Sequence, residues 1–197
     1  MKLFSNVFSN RAFTLIELMF ATSVGLVVAG SVVMLMFQSA QEQKRGMAAA
    51  GVEVKAHLLE AKISACLRSA SGNQGITPDY STTVVDAFGL PAYESIIFFT
   101  PTNGGYVQGR IKYNAASGQV IYIPNIATAA QEIWMTNSTS CRLTNFLFRT
   151  SNNLDSSPNS SLVSISFLVD DNGYAPQNRT NNPASVFRDF FIQMRND

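Results

Sequence analysis

Near the N-terminus, Arg11-Ala12-Phe13-Thr14-Leu15-Ile16-Glu17-Leu18-Met19-Phe20 leads into an apolar run that reaches Phe37 almost without a polar residue. No charged side chain occurs from Leu18 to Gln41. A helix of about 24 residues rises roughly 36 Å, enough to cross a hydrocarbon layer of ~30 Å. One carboxylate, Glu17, stands just inside the start of the run. Such a group costs about 2.5–3.5 kcal/mol at the centre of a bilayer and less toward its edge, so it calls for a partner.

The flanks orient the run. Lys2 and Arg11 precede it, while Glu42, Lys44 and Arg45 follow. The positive-inside rule puts Met1–Ala12 on the cytoplasmic side, with Lys44 and Arg45 as the opposing vote. A secretory signal has an apolar core of about 7–15 residues before its cleavage site. This run is longer and holds a carboxylate. A plain membrane anchor, the other reading, leaves Glu17 unexplained.

The octapeptide Ala12-Phe13-Thr14-Leu15-Ile16-Glu17-Leu18-Met19 resembles the prepilin processing site of type IV pilins and type II secretion pseudopilins. The resemblance covers about the first quarter of the chain. It implies that a prepilin peptidase cuts between Ala12 and Phe13 on the cytoplasmic face and methylates the Phe13 amine. That family has Gly before the cut where this chain has Ala12, which implies slower processing. It also implies an α+β pilin fold, a long N-terminal helix packed on an antiparallel β-sheet. The expected layout is a leader over 1–12, a membrane-spanning half-helix over 13–37, an amphipathic half over 38–70 and a periplasmic β-rich domain over 71–197. The subunit would sit in a bacterial inner membrane, N-terminus inside, before entering a filament. Its partners would be the peptidase, other pilin or pseudopilin subunits and an inner-membrane assembly platform; no cofactor is implied. Charge physics agrees. A cut before Phe13 creates an ammonium four residues from Glu17, and pairing offsets much of the cost of burying either charge. Between staggered helices, one subunit's Glu17 meeting a neighbour's Phe13 amine would set axial height.

Beyond Phe37 no proline interrupts the chain before Thr77, and good helix formers fill Gln38–Ser69. Val52, Ala56, Leu59, Ile63 and Cys66 recur at helical spacing, predicting one buried stripe. Gly25, Ala29 and Val33 would allow close helix approach in the membrane half; local unwinding there is the alternative, since each Gly lowers helix propensity. His57, the only histidine, has no metal-ligand cluster in sequence around it and reads as a solvated or packed helix position. Ser71-Gly72-Asn73-Gln74-Gly75 ends the helix.

The remainder reads as short strands. Ser95–Thr100 is an apolar run stopped by Pro101, and Tyr106–Tyr113 with Gln119–Ile123 forms a hairpin. Glu132–Met135, Arg142–Arg149, Leu162–Val169 and Val186–Met194 complete the set. Val163, Ile165, Phe167 and Val169 point one way, as do Val186, Phe190, Ile192 and Met194. Thr150–Ser161 and Asn172–Pro183 are polar loops. Asp170 and Asp171 are weak calcium candidates, because the region lacks the alternation and closing Glu of a calcium-binding hand. Asn137-Ser138-Thr139, Asn159-Ser160-Ser161 and Asn178-Arg179-Thr180 fit the glycosylation pattern by chance composition. Outside the cytoplasm, Cys66 and Cys141 would form a disulfide worth roughly 4 kcal/mol in the chain-entropy model; buried free thiols are the alternative.

Net charge is +1 over 197 residues, with the basic residues dispersed, which leaves no footprint for nucleic acid. No serine elbow, phosphate loop, metal spacing or dinucleotide fingerprint occurs, so the reading is non-enzymatic. The function expected is a structural filament subunit. A minor pilin or pseudopilin is preferred over a major pilin, since the chain is long and has no cysteine pair near its C-terminus. The tail Val186–Asn196 resembles the last strand of W-class minor pilins and J-class pseudopilins, which implies a tip or priming complex. A major pilin, an unprocessed anchor protein, and a DNA-uptake or adhesin subunit using Arg110, Lys112, Arg142, Arg149 and Arg179 are the alternatives.

Overall fold

A computed structural model describes residues 14–70, 76–86, 89–138, 141–150, 162–170 and 185–193. The chain divides into two units, Met1–Lys44 and Arg45–Asp197. One helix, α1 (Leu15–Arg68), contributes to both. In the first unit its side chains are all exposed, and this portion is long and apolar enough to cross a membrane.

The second unit is α+β. Its strands are β1 (Ile76–Pro78), β2 (Thr83–Val85), β3 (Pro91–Tyr93), β4 (Ser95–Thr102), β5 (Gly105–Asn114), β6 (Gln119–Ile123), β7 (Glu132–Met135), β8 (Arg142–Thr150), β9 (Leu162–Asp170) and β10 (Ser185–Gln193). They form two five-stranded sheets, β1-β4-β5-β6-β7 and β10-β9-β8-β3-β2, in which every pairing is antiparallel. The resemblance implies one sheet; the chain builds two against a single helix.

The helix stripe is where the periodicity puts it. Val52, Ala56, Leu59, Ile63 and Leu67 are buried, and Ala70 extends the row. Leu67 takes the place expected for Cys66, which is half-buried beside the core. The stripe joins one cluster with Ile96, Phe98 and Ile111 of the first sheet and with Phe146, Phe148, Ile165 and Phe167 of the second. On β9 the four residues Val163, Ile165, Phe167 and Val169 are all buried, and on β10 Ile192 is buried with Val186 and Phe190 partly so. Met194 lies outside the described residues.

Polar contacts clamp both flanks of the helix. Toward the second sheet, Arg188 of β10 pairs with Glu53 and lies 3.7 Å from Glu60. Toward the first sheet, Lys62 Nζ donates to Glu132 Oε1 at 3.1 Å and sits 5.9 Å from the Trp134 ring centre. Trp134 stacks on Tyr122, which stacks on Phe98.

β4 continues through Pro101 to Thr102 instead of stopping before it. β1 pairs β4 only as far as Phe98, so the missing N–H of Pro101 removes no bond to β1. β1, β2 and β3 have three residues each, with Pro78 and Pro91 among them, too short to show a period.

The sheets meet at β8. Its pairing with β9 shifts register between Thr144 and Leu147, where Asn145 adopts φ 54°. This bulge inserts one residue, so Leu143, Phe146, Phe148 and Thr150 all face inward despite the uneven spacing. Leu143 turns its peptide toward the first sheet. Its N–H donates to Asn137 Oδ1 at 2.7 Å, and its carbonyl accepts from the Tyr113 hydroxyl at 3.0 Å. Asn137 is held over the β5–β6 turn, where Gly118 has φ +60° and a Cβ would stand 1.8 Å from the Asn137 amide nitrogen.

Two substitutions on α1 separate its faces. Ile63→Ala should destabilise the domain by about 2–5 kcal/mol, while Leu58→Ala, on the exposed face, should stay within about 0.5 kcal/mol. Gly118→Ala should also cost stability, by about 1–3 kcal/mol, through φ strain and loss of the Asn137 bond. Chemical denaturation of the three variants measures each.

Candidate functional site

The helix start carries the distinctive geometry. Thr14 is the residue before α1, and Glu17 lies in its first turn. Thr14 N and Oγ1 donate to Glu17 Oε2 at 3.0 and 3.1 Å, and Glu17 N donates back to Thr14 Oγ1 at 3.3 Å. This is a reciprocal capping box, Thr-x-x-Glu, which satisfies donors that a helix start leaves open. A carboxylate in the first turn is also favoured by the helix dipole. Sequence reasoning assigned Glu17 to a neighbour and missed Thr14, although the three-residue spacing was there to be seen.

One consequence is chemical. Oε2 is used twice within the helix, while Oε1 carries no hydrogen bond to a described residue. The box thus holds the carboxylate at the helix end through Oε2. Ala12 and Phe13 lie outside the described residues. On the helix beyond, Leu15, Ile16, Leu18, Met19 and Phe20 are exposed apolar side chains.

The cysteines come to one core cluster, Cys141 buried within it and Cys66 half-buried against it. No disulfide bond joins the two in the structure. The Cys66 thiol is pushed up from 9.0 to about 12, first by burial and in spite of a hydrogen bond with Tyr122. Tyr113 is also raised, by burial and then by the charge of Glu94.

The other residues singled out in the sequence are structural in their surroundings. His57 lies 3.2 Å from Glu53, 3.7 Å from Glu60 and 3.1 Å from Arg188 Nη2, within the clamp between α1 and β10. Asp170 ends β9, opposite Arg142 and Ser185, and Asp171 lies outside the described residues. No cluster of three His, Cys, Asp or Glu side chains suited to a metal occurs among the described residues. Of the basic residues considered for DNA, Arg149 is tied to Asp86 at 2.9 Å and Arg110 lies 3.7 Å from Asp79. Arg179 is outside the described residues.

Residues 8–33 match the family model of the prokaryotic N-terminal methylation motif. The matched range takes in the capping box, the flanking Arg11 and most of the apolar run. It supports a pilin-type subunit that is processed by a prepilin peptidase and anchored by its N-terminal helix. No curated protein and no solved structure matches the chain.

The thiols yield a pH dependence with a defined sign. The unfolded chain ionises its cysteines near 9 while folded Cys66 holds its proton to about 12. The stabilisation is therefore whole below 9 and lost as pH rises toward 12. Under reducing conditions, denaturation midpoints should fall across that window, and Cys66→Ala should flatten the fall. Denatured without reductant, the chain should take up two equivalents of alkylating reagent, as mass spectrometry would show.

Proposed function

We propose that this chain is a structural subunit of a type IV pilus or type II secretion filament, of the minor pilin or pseudopilin kind. The observation that carries the reading is Glu17 at the start of an exposed apolar helix, one of its oxygens held by Thr14, inside a matched methylation motif. The peptidase removes Met1–Ala12 on the cytoplasmic face and methylates Phe13. Residues 13–37 then hold the subunit in the inner membrane, with the β-rich domain in the periplasm.

On assembly, Oε1 of Glu17 accepts the Phe13 ammonium of a neighbouring subunit. A subunit docked at the wrong height would leave both charges unpaired in a medium of low dielectric constant, which costs several kcal/mol. The carboxylate therefore selects register rather than merely adding affinity. The C-terminal strand resemblance favours a place in the complex that primes or caps the filament. The helix and sheets then act as scaffold, and no step of chemistry is assigned to the subunit itself.

Co-expression with a prepilin peptidase should shorten the chain by residues 1–12 and leave a methylated Phe13, as intact mass shows. Ala12→Gly should speed that cleavage. Persistence of the full-length mass would contradict the proposal. Glu17→Ala should be processed and remain in the membrane, yet fail to crosslink to other pilin-like subunits. Thr14→Ala, which costs about 1 kcal/mol of helix capping, should weaken crosslinking less than Glu17→Ala does.

A further inference from the structure

Four strands end the two sheets, β1 and β7 in the first and β10 and β2 in the second. A sheet edge is a template for further pairing, which short length or a proline discourages. β1 has three residues with Pro78 among them, β2 has three and β7 has four. β10 has nine and no proline, and it pairs β9 residue for residue from Ser185 to Gln193 without a shift. No described strand pairs with its other side. Every second residue of an antiparallel edge turns its N–H and C=O away from the sheet. The outer side of β10 therefore presents about 30 Å of main chain to another strand. The inward charge of β10, Arg188, is engaged by Glu53 of α1 and leaves that edge unguarded.

The side chains of β10 select the strand that fits. Phe187, Asp189 and Phe191 follow one another on its outward face at two-residue steps. The two phenyl rings are 62% and 68% exposed. Asp189 is exposed too; its Oδ1 accepts from Ser164 Oγ at 3.2 Å, and it makes no ion pair with a described residue. On the inward side, Glu53 and Glu60 of α1 flank Arg188, so the edge carries more carboxylates than cations on both faces. Opposite charges and apolar pairs set directly across two strands stabilise a sheet, and like charges destabilise it. A second copy pairing β10 with β10, Phe187 against Phe191, would set Asp189 against its own image. The edge thus suits a different, basic strand. We propose that β10 receives an extended segment of a partner polypeptide as a sixth strand, with a lysine or arginine opposite Asp189 and apolar side chains opposite Phe187 and Phe191. Main-chain hydrogen bonds supply the affinity and the alternate side chains the specificity.

The test uses the full-length protein in detergent micelles, titrated by calorimetry with acetyl-Thr-Val-Thr-Lys-Thr-Val-Thr-amide. Its glutamate counterpart and a counterpart with proline in place of the third and fifth threonines are the controls. The lysine peptide should bind about tenfold or more tighter than either control, and raising salt should weaken it. Asp189→Lys, at an exposed position, should reverse the preference so that the glutamate peptide binds the tighter. By NMR hydrogen exchange, the β10 amides that face away from β9 should exchange quickly in the free protein and slowly with the lysine peptide bound. Equal binding of the lysine and proline peptides would overturn the proposal, because apolar adhesion needs no main-chain N–H. An unchanged preference in Asp189→Lys would also overturn it. So would slow exchange of those amides in the free protein, which would place the chain itself or a second copy on the edge; dependence on protein concentration would tell these two apart.

Discussion

One helix has to satisfy two environments. From Leu15 to Met47 every side chain of α1 is exposed, most of them apolar, whereas from Val52 onward a single stripe is buried in a protein core. The transition follows from composition. The first stretch is apolar on all sides, which suits a surrounding lipid or other helices. The second alternates apolar and charged positions, so only one side can be buried. The two sheets depend on that stripe, because their inward faces close around Val52, Ala56, Leu59, Ile63 and Leu67.

Polar groups fix how that closure is made. Apolar packing has no direction of its own, so many rotations of the helix would bury similar area. Arg188 with Glu53 on one flank and Lys62 with Glu132 on the other leave few of those rotations available. The pairs are half-exposed and add little energy. Their effect is to orient. The same holds at the seam between sheets, where the Leu143 peptide is satisfied by two side chains rather than by a strand. Asn145 in the bulge gives β8 the extra residue that keeps Phe146 and Phe148 inward.

At the helix start the same economy applies to Glu17. The capping box draws on one oxygen of the carboxylate, and the intersubunit ion pair proposed for it would draw on the other. The capped conformation holds the group at the helix end before any neighbour arrives. That preorganisation lowers the ordering cost of the later contact. Thr14 thereby becomes part of the assembly proposal, as a positioning residue for Glu17.

Much of this was legible in residue order, and the reason is periodicity. Spacing of 3–4 residues marked Val52, Ala56, Leu59 and Ile63, and strict alternation marked β9, because these patterns are read within one element. The Gln119–Ile123 strand was also marked by the turn residues Asn114–Gly118 that precede it. The motif Ala12–Met19 declared its chemistry in eight consecutive residues. What tertiary structure alone decided are the relations between elements far apart in sequence. The split into two sheets, the three short strands, two of them bearing a proline, and the Asn145 bulge depend on which backbone groups find partners. The Asp86–Arg149 pair joins residues 63 positions apart, and no local pattern announces it. Cys66 yielded its expected place to Leu67 because a helix turn can be rotated slightly to bury the larger apolar side chain. Local order thus specified which faces are apolar, and only the folded chain settled which faces meet.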